Sequence, residues 1–139
     1  MEGKLQVLLV EDSYIHQSIV SSFLMKYNHI VTIANNGSEA IEKFQQNNYD
    51  VILLTLMTPL AESEETTLKI REIEHSVTRG SRNRTPIIGL TSYKMDSEPD
   101  KSAAFNIDEL LVTPYDLDKL MSIIYGKKYY PDFKMAVSF

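Results

Sequence analysis

The stretch Tyr49-Asp50-Val51-Ile52-Leu53-Leu54-Thr55-Leu56-Met57-Thr58-Pro59 decides how the chain is read. Its centre, Val51 to Leu54, is apolar at every position, so neither face of the strand it predicts can meet water. Such a strand belongs inside a parallel sheet covered on both sides, and the Thr and Pro residues that follow mark the loop at its carboxyl end. Four similar runs lie outward from it: Leu5 to Val10, His29 to Ala34, Pro86 to Leu90 and Glu109 to Val112. Helical stripes fall between them: Ile15, Ile19 and Phe23 with Val20 and Leu24; Ala40, Ile41 and Phe44; Ile70, Ile73 and Val77; and Leu117, Leu120, Met121 and Ile124. A further helix is expected over Asp96 to Phe105, where Asp96 and Ser97 suit an N-cap and Pro99 a first turn. Strands and helices alternate, which predicts a doubly wound α/β domain whose ligands sit beyond the carboxyl ends of the strands.

Composition narrows the function classes. A chain of 139 residues, 43% hydrophobic and 24% charged, suits one globular domain. Its net charge of −5 argues against a surface that tracks a nucleic-acid backbone. With no Cys there is no disulfide, thiolate metal site or cysteine nucleophile. No apolar run approaches the roughly 20 residues of a membrane span, and the first residues do not resemble a secretory signal, so an intracellular protein is expected, cytoplasmic with the nucleus left open. The polar connection Thr78 to Thr85, carrying Arg79, Arg82 and Arg84, reads as a solvated loop. Residues 1–125 form the expected domain; residues 126–139, with Tyr129, Tyr130, Phe133, Met135 and Phe139, form an aromatic tail expected to pack on it.

The first strand runs into Glu11-Asp12, with Ser13 placed to cap the next helix. Adjacent acids at a helix start are also explained by capping and the helix dipole, so alone they assign nothing. A Gly-rich phosphate loop, which a nucleotide-binding domain would need here, does not follow.

Taken together, Tyr49 to Pro59 resembles the third strand and following loop of the receiver domains of two-component response regulators. Leu5 to Asp12 is similar to that family's first strand with its acidic pair, Pro86 to Ser92 to its fourth strand with the functional Thr91, and Ile107 to Pro114 to its fifth. The resemblance covers residues 4–125. It implies a (βα)5 flavodoxin-like fold with a five-stranded parallel sheet in the order 2-1-3-4-5. Asp12 to Thr55 spans 43 positions and Thr91 to Thr113 spans 22, close to the family intervals; Thr55 to Thr91, at 36, is long, and the surplus falls in the Arg-bearing connection.

In the family, an Asp closing the third strand takes a phosphoryl group from phosphohistidine, with Mg²⁺, a Thr or Ser and a Lys holding the oxygens. Here Thr55 stands at the acceptor position and Thr113, before Pro114, at the Lys position. Leu110 replaces the usual aromatic switch residue, and Ser63 the Gly four residues after Pro59. A Thr hydroxyl without a base is a poor nucleophile, and neither His16, His29 nor His75 is placed near the strand ends by the motif. Glu11 and Asp12 remain of three metal-binding carboxylates, so Mg²⁺ binding is expected to be weak or lost and no cofactor is expected. Losing only the Asp would strand a Lys ammonium at a cost of about 3–5 kcal/mol if fully buried; losing both keeps the pocket near −2.

The degenerate pocket Glu11, Asp12, Thr55, Thr91 and Thr113 thus implies a pseudo-receiver: not an enzyme, but a phosphorylation-independent interaction module of a phosphorelay. The alternative is a receiver with residual Mg²⁺-dependent acceptor activity at a non-standard residue. By resemblance, the first helix and the loop after Pro114 would meet a histidine-phosphotransfer protein or histidine kinase. The helices over Asp96 to Phe105 and Leu117 to Ile124 would meet an output domain or a second copy of the chain. The stripe Ile15, Ile19, Phe23 is expected to be buried on the sheet, leaving His16 and Gln17 exposed.

Overall fold

The structure, a computed structural model, describes residues 4–56, 60–76, 84–91, 106–112 and 117–125. Strands β1 (Gln6–Val10), β2 (Ile30–Ala34), β3 (Val51–Thr55), β4 (Ile87–Thr91) and β5 (Glu109–Val112) form one parallel sheet in the order β2-β1-β3-β4-β5. Helices α1 (Tyr14–Lys26), α2 (Gly37–Gln46), α3 (Leu60–Glu74) and α4 (Leu117–Ile124) connect and cover it. The architecture and strand order are those expected from the sequence. The helix expected over Asp96 to Phe105, Val77 and the tail 126–139 lie outside the described residues.

Alternation along each strand splits the core into two layers. Val7 and Leu9 of β1 and Val51 and Leu53 of β3 pack with Val20 and Leu24 of α1 and Leu120, Met121 and Ile124 of α4. Leu8, Val10, Ile52 and Leu54 pack on the other side with Ala40 and Phe44 of α2 and Ile70 of α3. Each fully buried Leu or Ile contributes about 1.5–3 kcal/mol, which is why the all-apolar run of β3 sits second from neither edge but at the sheet's centre. Gly89 of β4 leaves room for β5, since a Cβ there would lie 2.8 Å from Ile107 Cδ1 and 3.2 Å from Leu110 Cδ1.

The first helix faces differently from the sequence expectation. Its buried residues are Gln17, Val20 and Leu24, with Phe23 half-buried, whereas Ile15 and Ile19 are 67% and 52% exposed beside Tyr14 at 79%. Two stripes compete for the sheet, and the one bearing Gln17 wins because its amide satisfies buried backbone at the end of β1. Ser13 caps the helix, accepting from His16 N–H, and the helix ends in a Schellman turn in which Asn28 (φ 69°) and His29 N–H donate to Met25 and Leu24 carbonyls.

At the amino end of the sheet, buried His29 ties three elements together. Its Nδ1 accepts from Leu5 N–H at 3.0 Å, so the neutral ring carries its proton on Nε2, which donates to Tyr125 Oη beyond α4. Burial pushes the His29 pKa down, against the attraction of Asp50, and burial pushes the Tyr125 phenol up to about 12. At the entries of β4 and β5, towards the other edge of the sheet, Arg71 of α3 is buried and donates to Glu74, Asp108 and the carbonyls of Thr85 and Asn106. Arg84, at the end of the connection read from sequence as a solvated loop, is exposed and bonds Asp108 Oδ1 at 2.9 Å and Asn106 O.

Candidate functional site

Val10 of β1 is paired with Leu54 of β3, so the residues that follow, Glu11 and Thr55, emerge side by side at the carboxyl end of the sheet. Thr55 Oγ1 donates to Glu11 Oε1 at 2.7 Å. The other carboxylate oxygen, Oε2, accepts Ser13 N–H at 2.9 Å. Glu11 N–H donates to Ala34 O at 3.0 Å, and Glu11 O accepts from Gln17 Nε2 at 2.6 Å. Gln17 Nε2 also donates to Asn35 Oδ1 at 2.7 Å. Glu11 is therefore 5% exposed with both carboxylate oxygens and both backbone polar groups occupied within the chain.

The other sequence candidates are distributed around this pair. Asp12 is exposed, one residue further along the turn. Thr91 is buried at the end of β4, one residue beyond Leu90, the register partner of Thr55. Leu110 is half-buried on β5 against Gly89 and the α2–α3 layer. Thr113, Pro59 and Pro114 lie outside the described residues. Ser63 is buried in the first half of α3. On the next loop Asn36 caps α2 through Glu39 N–H, while the N–H groups of Asn35 hold the Glu39 carboxyl below the usual carboxylate range.

A dedicated Mg²⁺ site needs several free oxygen ligands, preferably more than one carboxylate. Glu11 is committed to Thr55 and Ser13, which leaves Asp12 as the free carboxylate of the pair. Among the described residues no group of three or more His, Cys, Asp or Glu is placed to hold a metal ion. The described residues do not fit a standing Mg²⁺ site.

Sequence reasoning missed two features. Gln17, expected to be exposed, is a buried buttress of Glu11, and its spacing with Val20 and Leu24 was the signal that could have placed it. Ile15 and Ile19, expected to be covered together with Phe23, stand in solvent beside Tyr14, on a face that begins two residues after Asp12. Among the described residues no helix is long and apolar enough to cross a membrane.

Comparisons with known proteins agree with this arrangement. The model of the response regulator receiver domain matches residues 7–125. Histidine kinase 5 of Arabidopsis thaliana is 28% identical over 85% of this chain and 15% of its own length. Transcription factor SKN7 of Saccharomyces cerevisiae is 30% identical over 85% of this chain and 18% of its own length. The chain thus spans less than a fifth of these relatives. Among solved structures, the receiver domain of Saccharomyces cerevisiae Ssk1, co-crystallised with the histidine phosphotransfer signaling protein Ypd1, is 27% identical with a TM-score of 0.79, covering 97% of this chain and 98% of that one. With the sheet order, the acidic turn after β1 and the Thr closing β4 all in their places, the chain belongs to the response regulator receiver domain family.

Proposed function

We propose that the domain is a pseudo-receiver, an interaction module of a phosphorelay that engages a histidine-phosphotransfer protein without itself accepting a phosphoryl group. The observation that carries this reading is the hydrogen bond from Thr55 to Glu11: the residue in the acceptor position is a hydroxyl donor already spent on the neighbouring carboxylate. The position that holds a carboxylate nucleophile in the family holds a hydroxyl here, and Glu11, the carboxylate within reach of its proton, is already bonded through its other oxygen to Ser13 N–H. The domain on this reading is not an enzyme and works without Mg²⁺.

The docking surface is the exposed face of α1. Tyr14, Ile15 and Ile19 present apolar area that a free helix would bury, and they lie beside the acidic turn. A similar receiver, that of Ssk1, has been crystallised with Ypd1, which makes a histidine-phosphotransfer protein the occupant of choice. The test is calorimetric titration with Ypd1. Saturable binding that is unchanged by a phosphodonor, and lost in Ile15→Glu/Ile19→Glu with helical content intact, is expected; absence of binding, or binding only after phosphodonor treatment of the chain, overturns the proposal.

A further inference from the structure

We infer that Thr55 is a positioning residue for docking: through Glu11 it holds the first turn of α1, so that Tyr14 and Ile15 are presented to a partner in one fixed arrangement. The inference rests on the proposed docking at α1 and adds what keeps that face ready.

The link runs through one carboxylate. Thr55 Oγ1 donates to Glu11 Oε1 at 2.7 Å, and Glu11 Oε2 accepts Ser13 N–H at 2.9 Å. Ser13 is the N-cap of α1, and Tyr14 and Ile15 are the first two residues of the helix. The helix start is otherwise weakly held. Ser13 Oγ accepts His16 N–H at 3.4 Å, well beyond the usual ~2.9–3.0 Å, and no acidic residue stands in the first turn to favour the helix dipole. The second hold on α1, from Gln17 Nε2 to Glu11 O at 2.6 Å, falls between Ile15 and Ile19. It fixes which face of the helix meets the sheet, whereas the carboxylate fixes how the helix begins.

The two oxygens of a carboxylate move together, so a change at one reaches the other. Glu11 is 5% exposed, and a buried charge that loses a donor is driven to replace it with water. Without the Thr55 hydroxyl, Glu11 turns toward solvent to hydrate Oε1 and carries Oε2 away from Ser13 N–H. The first turn then frays. Tyr14 and Ile15, 79% and 67% exposed, are little held by packing and lose their fixed arrangement, while Ile19 lies beyond the Gln17 hold and keeps its place. A partner that needs the arrangement binds more weakly in proportion to the fraction of molecules that retain it. An ionised Asp at position 55 could not play this part, because it has no hydrogen to donate to Glu11.

The experiment measures amide exchange at Ser13 by NMR and the Kd for Ypd1 by calorimetry, in the wild type, Thr55→Val, Thr55→Ser and Ile70→Val. Ile70 packs on the side of the sheet away from α1, so its truncation controls for lost stability. In Thr55→Val, exchange at Ser13 about threefold or more faster and a Kd about threefold higher are expected, with both restored in Thr55→Ser and neither moved in Ile70→Val. Unchanged Ser13 exchange or an unchanged Kd in Thr55→Val, or an equal change in Ile70→Val, overturns the inference and leaves docking at α1 standing. Failure of the wild type to bind Ypd1 overturns the docking reading and this inference with it, and Ser13 exchange then tells separately whether Thr55 holds the turn.

Discussion

Replacing Thr55 by Val removes one hydroxyl and keeps the shape of the side chain, so it isolates the bond at the heart of the site. The lost interaction is a 2.7 Å donation to a carboxylate on a residue that is 5% exposed. Hydrogen bonds to charged groups contribute about 1.5–3 kcal/mol, and because Thr55 is only half-buried the lower end applies, about 1.5 kcal/mol. For a chain of this size that corresponds to a fall in Tm of about 5 °C. Thr55→Ser keeps the donor and should lose less than half as much. Thr55→Asp puts a second carboxylate beside Glu11 and should be the least stable of the three in EDTA, with recovery on adding Mg²⁺. Calorimetric or circular-dichroism melts of the three variants decide the matter. If Thr55→Val melts with the wild type, the Thr55–Glu11 bond is not what settles the pocket.

Two predictions concern the amino end of the sheet. Arg71→Met should cost about 3–5 kcal/mol in denaturant unfolding, because Glu74 and Asp108 lose the guanidinium that both bond, and Arg71→Lys should rescue little, since one ammonium cannot reach four separate partners. Stability should also fall with acid through His29: its folded pKa lies below the ordinary 6.5, so its contribution is complete above pH 6.5 and declines as pH drops toward the folded value, where Nδ1 must give up Leu5 N–H. Denaturant midpoints of wild type and His29→Gln between pH 8 and pH 5 should converge on acidification; parallel curves would remove His29 as the cause.

The five strands were legible because short runs such as Val51 to Leu54 and Ile87 to Leu90 are apolar on both faces and are separated by helical stripes, a pattern that suits a sandwiched parallel sheet. The placement of Glu11, Thr55 and Thr91 at the carboxyl ends of β1, β3 and β4 was legible too, since it follows from the strand bounds alone. What the sequence hid is which partner each side chain takes. Thr55 and Glu11 are 44 positions apart, and nothing local says that the hydroxyl is spent on the carboxylate. The facing of α1 was misread because Ile15 and Ile19 outrank Gln17 in hydrophobicity, while the end of β1 needs an amide donor more than another methyl group. The Arg71 cluster was equally hidden, since it joins α3 to the entries of β4 and β5 across 14 to 37 positions.

The central claim is that the chain takes part in a phosphorelay without carrying the phosphoryl group. Intact mass spectrometry of the chain after incubation with phosphorylated Ypd1 and Mg²⁺ tests it most directly, with Thr55→Asp/Thr113→Lys run alongside. The account predicts an unchanged mass for the wild type and a phosphoryl adduct on the double variant. A stable adduct on the wild-type chain would contradict it and make Glu11, Asp12 or Thr55 the acceptor to be mapped.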